Sequence, residues 1–223
     1  MPETAGAARV APSRPLISDL LQRVAFTFLF RPFLALFVGL RVRGREHLPA
    51  RDPFILVANH TSHLDTISLL SLFRGSRLRL IRPVAAADYF ERNAVIAWLA
   101  KTCFNILPIA RKNVTAESDP RPRMLEALRR GESLILFPEG TRGAGEEIGR
   151  FRSGVAYLVE RQPSAPVVPS YLVNMGRSLP KGEFLPVPFF CEIRLGPALH
   201  PKGDRGAILR MLEDAVRALG VPG

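Results

Sequence analysis

Lysine is scarce in this chain: among its 31 basic residues it occurs only at positions 101, 112, 181 and 202, and every other basic residue is arginine. Genomic base composition can produce that bias, and its chemical consequence is a surface able to make bidentate contacts to phosphate. Cysteine is scarcer still. Cys103 and Cys191 lie among apolar neighbours, with no second Cys or His at ligand spacing, which excludes a zinc site or redox pair and points to a reducing compartment. A long hydrophobic run is also missing. The apolar stretch at 24 to 40, VAFTFLFRPFLALFVGL, is split by Arg31-Pro32 into runs of seven and eight residues, whereas a simple membrane span takes ~20. Arg41, Arg43 and Arg45 follow the apolar run, where a cleaved secretion signal would have a small-residue cleavage site, so cleavage is not expected. No G-x-S-x-G is present, so a hydrolase built on a nucleophile elbow is disfavoured.

What is present begins with charge. With 31 basic against 20 acidic residues, the formal net charge of +11 draws the chain toward nucleic acid, anionic lipid or phosphorylated small molecules. At 223 residues and 47% hydrophobic it can bury one sizeable core. Residues 1–15, rich in Ala, Pro and Arg, read as a disordered tail. Residues 16–44 read as two short apolar helices broken at Arg31-Pro32, lying in a membrane interface with Phe26, Phe28, Phe30, Phe33, Leu34 and Phe37 in the acyl layer. The competing reading is a hairpin buried on the protein's own core. From 45 to 223 the chain alternates short β-prone runs (FILVA, LRLIRPVAA, FNILPIA, SLILF, APVVPSYLV, FFCEIRLG) with helical patterns near 65–74, 92–103, 120–130, 153–161 and 204–219. The expected fold is therefore α/β: a single domain with a mixed central sheet flanked by helices, preceded by the apolar helical pair.

Two polar stretches interrupt the pattern immediately after strands. In ANHTSHLD, residues 58–65, Ser62 and Asp65 have the spacing of a helix capping box. Capping does not require Asn59 or His60, which fall where α/β folds present ligand-binding groups, beyond the carboxyl ends of strands. If the chain turns between them, Asp65 can fix the His60 tautomer while the other ring nitrogen accepts a proton from a hydroxyl. His60 and His63 could also be read as metal ligands, but one aspartate and no cysteine nearby make a poor set, and no metal is expected. The second stretch is FPEGTR, 137–142. As ordinary turn chemistry it needs no function; as a site, Glu139 and Thr141 can hydrogen-bond, Gly140 lets backbone approach a ligand, and Arg142 can fork onto phosphate. Arg111, in PIARKN after another strand, gains interest only if its loop joins the same cleft.

The set NHTSHLD, PIARKN, FPEGTR and APVVPSYL, in this order, resembles the glycerolipid acyltransferases, the 1-acyl-glycerol-3-phosphate acyltransferases and their glycerol-3-phosphate relatives. The N-H-x-x-x-x-D and F-P-E-G-T-R blocks stand some seventy residues apart here, and the likeness covers roughly 45 to 175. The resemblance implies that His60 is the general base and Asp65 its orienting partner, with no acyl-enzyme intermediate. It implies that Arg111, Glu139, Gly140 and Arg142 hold a glycerophosphate group, and that Val168 and Pro169 serve acyl-donor binding or packing. FRSG at 151–154 resembles an aromatic-basic-x-Gly element that often follows, with Arg152 where lysine is common. Gly143 and Ala110 depart from the family's usual residues, which leaves the acceptor open. No cofactor is implied beyond acyl-CoA or acyl carrier protein as co-substrate. A thioester is already activated, so positioning, proton removal and oxyanion stabilisation suffice; Asn59 or backbone N–H groups after Ser62 are candidates for the last of these.

The expected partners are a lysophospholipid acceptor, the acyl donor and a membrane surface bearing anionic lipids, with the protein peripheral or monotopic on the cytoplasmic face. The run FRGSRLRLIRP, with Arg74, Arg77, Arg79 and Arg82, reads either as a solvated face or as an anion-binding surface. No nucleic acid is expected, because no aromatics are interleaved with those arginines. Two further readings are a non-catalytic basic lipid- or nucleic-acid-binding protein and a hydrolase using the His-Asp pair on water.

Overall fold

The computed structural model describes residues 15–87, 94–110, 115, 118–141, 143, 148–179, 187 and 189–221. The tail expected over 1–15 thus falls, except for Pro15, outside the described residues. The apolar helical pair is present as α1 (Leu16–Ala25) and α2 (Arg31–Leu36), joined by a single π-helical turn at Phe26–Phe30. That turn stands where a break at Arg31-Pro32 was expected. Proline lacks an N–H and crowds the carbonyl four residues back; the wider turn, in which the Arg31 N–H reaches Phe26 O five residues back, keeps the backbone helical through it.

Beyond the pair, the elements are β1 (Arg41–Arg43), β2 (Ile55–Ala58), α3 (Leu64–Ser71), β3 (Ile81–Ala86), α4 (Ala94–Thr102), β4 (Leu107–Ile109), α5 (Pro120–Arg129), β5 (Ser133–Leu136), α6 (Gly154–Arg161), β6 (Val167–Val173), α7 (Met175–Ser178), β7 (Glu192–Leu195) and α8 (Arg205–Gly220). Among the described residues the seven strands form one sheet in the order β1-β7-β6-β2-β5-β3-β4. From β6 to β4 neighbours run parallel, β7 is antiparallel to β6, and β1 is parallel to β7. The sheet is mixed, as expected. Its first strand lies inside the 16–44 stretch; Arg-Val-Arg is too short to carry a readable alternation. The LRL of LRLIRPVAA is a 3-10 helix, Gly75–Leu80, and the strand starts at Ile81.

The central strands β2 and β5 are buried on both faces, which explains why they read as continuous apolar runs. Phe54, Leu56 and Ala58 face a core shared with the N-terminal helices and α3, and Ile55 and Val57 face one shared with α5, α6 and α8. Two helix starts are capped by aspartates. Asp119 accepts from the Arg121 N–H at 3.0 Å ahead of α5, and Asp204 from the Ala207 N–H at 2.7 Å ahead of α8. Both cysteines are free and buried.

Because β2, β5 and β6 are parallel neighbours, the loops leaving their carboxyl ends emerge side by side. These loops are 59–63, 137–143 and 174 onward. This register positions everything that follows.

Candidate active site

β2 ends at Ala58, and the chain turns sharply before α3. The corner brings His60 onto Asp65, with Nδ1 and Oδ2 2.8 Å apart. The same oxygen accepts the N–H groups of Thr61 at 2.7 Å and Ser62 at 2.9 Å. One fully buried carboxylate thus both ties down the corner and holds the ring, the arrangement that the orienting role would need. Ser62 completes the corner, accepting from the Leu64 N–H at 3.2 Å and donating to Leu179 O at 2.9 Å. A carboxylate on Nδ1 places the N–H of the neutral ring there and leaves Nε2 with the free lone pair. The His60 side chain is 22% exposed, so the ring is partly open at the surface.

The second loop packs directly against the first. The Phe137 ring stacks on the imidazole, centroids 4.1 Å apart at 20°. Glu139 Oε1 accepts the His60 N–H at 3.0 Å, its Oε2 accepts the Gly149 N–H at 3.0 Å, and the Gly143 N–H donates to His60 O at 2.9 Å. Arg152 Nε donates to Glu139 O at 3.2 Å, and its backbone N–H to Pro138 O at 2.9 Å. Gly140 sits at φ 73°, a conformation that favours glycine, and a Cβ there would also push the Arg152 side chain aside.

Several residues expected at the site take other work. Asn59 is 1% exposed, and its amide pairs with the β6 backbone, accepting the Leu172 N–H at 2.7 Å and donating to Leu172 O at 3.1 Å. It pins β2 to β6 and presents no polar atom to a substrate, because it continues the pairing one step past the last strand residue. The N–H groups of Thr61, Ser62, Leu64 and Asp65 are also occupied: the first two by the Asp65 carboxylate, the third by the Ser62 hydroxyl and the fourth by Ser62 O. They are not oxyanion donors in this arrangement. Glu139, expected to touch substrate, has both oxygens on backbone N–H groups and braces the two loops. Thr141 is exposed at the turn, while Arg111 and Arg142 lie outside the described residues. β4, which leads into 111, is three strand positions from β2, about 14 Å at ordinary strand spacing, and ends at the same edge of the sheet. Val168 is buried in the core, which is a packing role.

A family model described as Acyltransferase matches residues 39–173, more than half of the chain. The chain belongs to the acyltransferase family. It is 33% identical over 143 residues to a chloroplastic 1-acyl-sn-glycerol-3-phosphate acyltransferase of Brassica napus, covering 64% of this chain and 39% of that protein. It is 27% identical over 164 residues to the 1-acyl-sn-glycerol-3-phosphate acyltransferase of Pseudomonas aeruginosa, covering 73% and 60%. The chain thus spans less than two thirds of the length of these relatives. In fold it is similar to the crystal structure of the 1-acyl-sn-glycerophosphate acyltransferase PlsC from Thermotoga maritima, with a TM-score of 0.71 at 24% identity, covering 91% of this chain and 80% of that one.

The arginine run loses most of its free charge in the acyltransferase fold. Arg77 pairs with Asp52 at 3.2 Å, Arg79 with Asp19 at 3.7 Å and Arg82 with Glu132 at 3.2 Å. Sequence reasoning missed Phe137 as a functional side chain. The only available signal was its place as the last residue of an apolar run, ahead of a polar loop. An aromatic there flanks whatever the neighbouring strand end presents.

Proposed function

We propose that the chain moves a fatty acyl group from an acyl thioester, on coenzyme A or acyl carrier protein, to the free hydroxyl of a lysophospholipid, with 1-acyl-glycerol-3-phosphate the first candidate. The observation that carries this reading is the His60–Asp65 pair beside the FPEGT turn, with the imidazole stacked on Phe137 and half-sheltered. In that arrangement Nε2 accepts the acceptor's hydroxyl proton as the oxygen attacks the thioester carbonyl. Asp65 stabilises the imidazolium that forms. Collapse of the tetrahedral adduct breaks the C–S bond, and the imidazolium returns its proton to the departing thiolate. No protein nucleophile is needed. Phosphate recognition is assigned to Arg111 and Arg142, by resemblance.

The acceptor is a lipid, and the chain is suited to meet it at a surface. No helix among the described residues is long and apolar enough to cross a membrane. The N-terminal segment nonetheless exposes Leu16, Leu20, Phe28, Leu36 and Phe37. Of the six residues expected in the acyl layer, Phe26 and Leu34 are instead core, Phe30 and Phe33 are packed against it, and Phe28 and Phe37 remain exposed. Interfacial docking through the outer residues, on the cytoplasmic face, completes the reading.

The test supplies purified protein and an acyl thioester with glycerol 3-phosphate, 1-acyl-glycerol-3-phosphate and other lysolipids, and identifies the product by mass. Phosphatidic acid from 1-acyl-glycerol-3-phosphate is expected, and His60→Ala should lose about 10²- to 10⁴-fold in rate with an unchanged far-UV circular dichroism spectrum. Full turnover by that folded variant would remove the proposed base. Free fatty acid in place of an acylated product would turn the reading to hydrolysis.

A further inference from the structure

At the end of α3 remote from Asp65, three arginines meet. Arg31, on the N-terminal helical segment, donates from Nε to Ser71 O at 3.1 Å and from its terminal nitrogen to Phe73 O; Arg45 donates to Leu72 O. Two guanidinium groups thereby cap the carbonyl end of the helix, where cations are favoured. Arg74 follows directly, exposed. Among the described residues no acidic side chain pairs with any of the three, although Arg77, Arg79 and Arg82 nearby are all neutralised. Burial, reinforced by the fields of Arg74 and Arg45, pulls Arg31 below the ordinary guanidinium range. Three like charges, two of them held by neutral carbonyls and the third exposed beside them, are an electrostatic deficit that an anion would relieve.

The space for an anion is there. A cavity of about 420 Å³ is lined by Thr27, Arg31, Pro32, Ala35, Arg74 and Gly75. Thr27, Arg31 and Ala35 form one stripe of the N-terminal segment. The adjacent stripe, Phe28, Pro32 and Leu36, is turned outward, Phe28 being 77% and Leu36 80% exposed. A phosphate seated between Arg31 and Arg74, within reach of the Thr27 hydroxyl, would have its non-phosphate part beside that apolar stripe. Eight residues of α3, about 12 Å of helix, separate this place from the His60–Asp65 corner, so it is not where an acceptor being acylated would put its phosphate.

We infer that this cavity is a headgroup site for an anionic phospholipid, holding the lipid phosphate between Arg31 and Arg74 with its acyl chains along Phe28 and Leu36. Lipid is favoured over a soluble phosphate because the cavity opens beside large exposed apolar side chains, which a soluble anion would leave in water. The inference rests on the membrane-docking part of the proposed function and adds a specific headgroup contact to it.

Sedimentation of the full chain with vesicles of phosphatidylcholine alone, and of phosphatidylcholine mixed with phosphatidylglycerol, tests it. The wild type should prefer the mixed vesicles. Arg74→Gln should lose about fivefold of affinity for them, the weight of one basic side chain at an anionic surface, and nothing on the neutral ones, while Arg74→Lys retains most of the binding. Arg123→Gln, an exposed position on the α5 side of the sheet, is the matched charge control. An equal loss in that control, or none in Arg74→Gln, would overturn the site. Heat of binding from millimolar inorganic phosphate without lipid, abolished by Arg74→Gln, would overturn the lipid as its ligand. Failure of the wild type to bind either vesicle would remove membrane docking and the site together. Equal wild-type binding to both vesicles, abolished by Phe28→Gln, would leave docking standing and remove only the site.

Discussion

The first and last helices among the described residues are both amphipathic, yet they are oriented in opposite senses. α8 turns Ile208, Leu212 and Val216 into the core and its charged residues outward. α1 does the reverse: it buries Asp19 and Gln22 and exposes Leu16, Ile17, Leu20 and Val24. α4, packed against α1, also exposes Trp98 and Leu99. The two helices share a periodicity and differ in the medium each apolar face can meet. For α8 that medium is the sheet; for α1 the described residues leave the apolar face uncovered, and the lipid interface proposed above would cover it.

The comparison is sharpest where a substitution should act on one helix and not on the other. Leu212→Ala is expected to lower the unfolding free energy by ~2–5 kcal/mol, read from urea denaturation, whereas Leu20→Ala should stay within about 0.5 kcal/mol of wild type. A large loss at Leu20 would mean that α1 is packed where the structure leaves it open. Phe28→Gln should reverse the pattern, with unchanged unfolding but vesicle partitioning weaker by about 1.5–3 kcal/mol, the value of burying one large apolar side chain. A smaller contrast concerns the helix ends. Asp204→Ala removes the α8 cap and should cost ~1 kcal/mol, while α1 has no side-chain cap to remove at Pro15. The last test expects no change. Cys191 lies in the core beneath α2, and its burial pushes the thiol up to about 11. At pH 8 only about one thiol in a thousand would be thiolate, and iodoacetamide should leave it unmodified with or without vesicles. Labelling that appears on adding vesicles would show that the N-terminal segment lifts off the core when it docks.

Much of the fold was legible because its signals are local. The five main helices of the α/β region fall within a few residues of their periodic patterns, and all six β-prone runs contain a strand. The element that escaped, β1, is three residues long and owes its strand conformation to pairing with β7, some 150 residues away. At the site, His60 and Asp65 could be matched from sequence because five residues and one corner separate them. Asn59 and Glu139 could not be placed. Each is a polar residue in a polar loop, and only the neighbouring strand decides whether its side chain faces a ligand or satisfies backbone.

The amino-acid sequence by itself determined the alternation of strands and helices, the corner that joins His60 to Asp65, and the family, since each depends on residues close together or on a short pattern. Tertiary structure alone decided which loops meet, which phenylalanines of the N-terminal segment are core, and which arginines keep their charge. Asp52, Asp19 and Glu132 neutralise Arg77, Arg79 and Arg82 from distant parts of the chain, while Arg31, Arg45 and Arg74 converge without an acid among the described residues. Periodicity reveals that a helix has an apolar side, but what lies against that side, and whether a charge has a partner, depends on distances that exist only once the chain has folded.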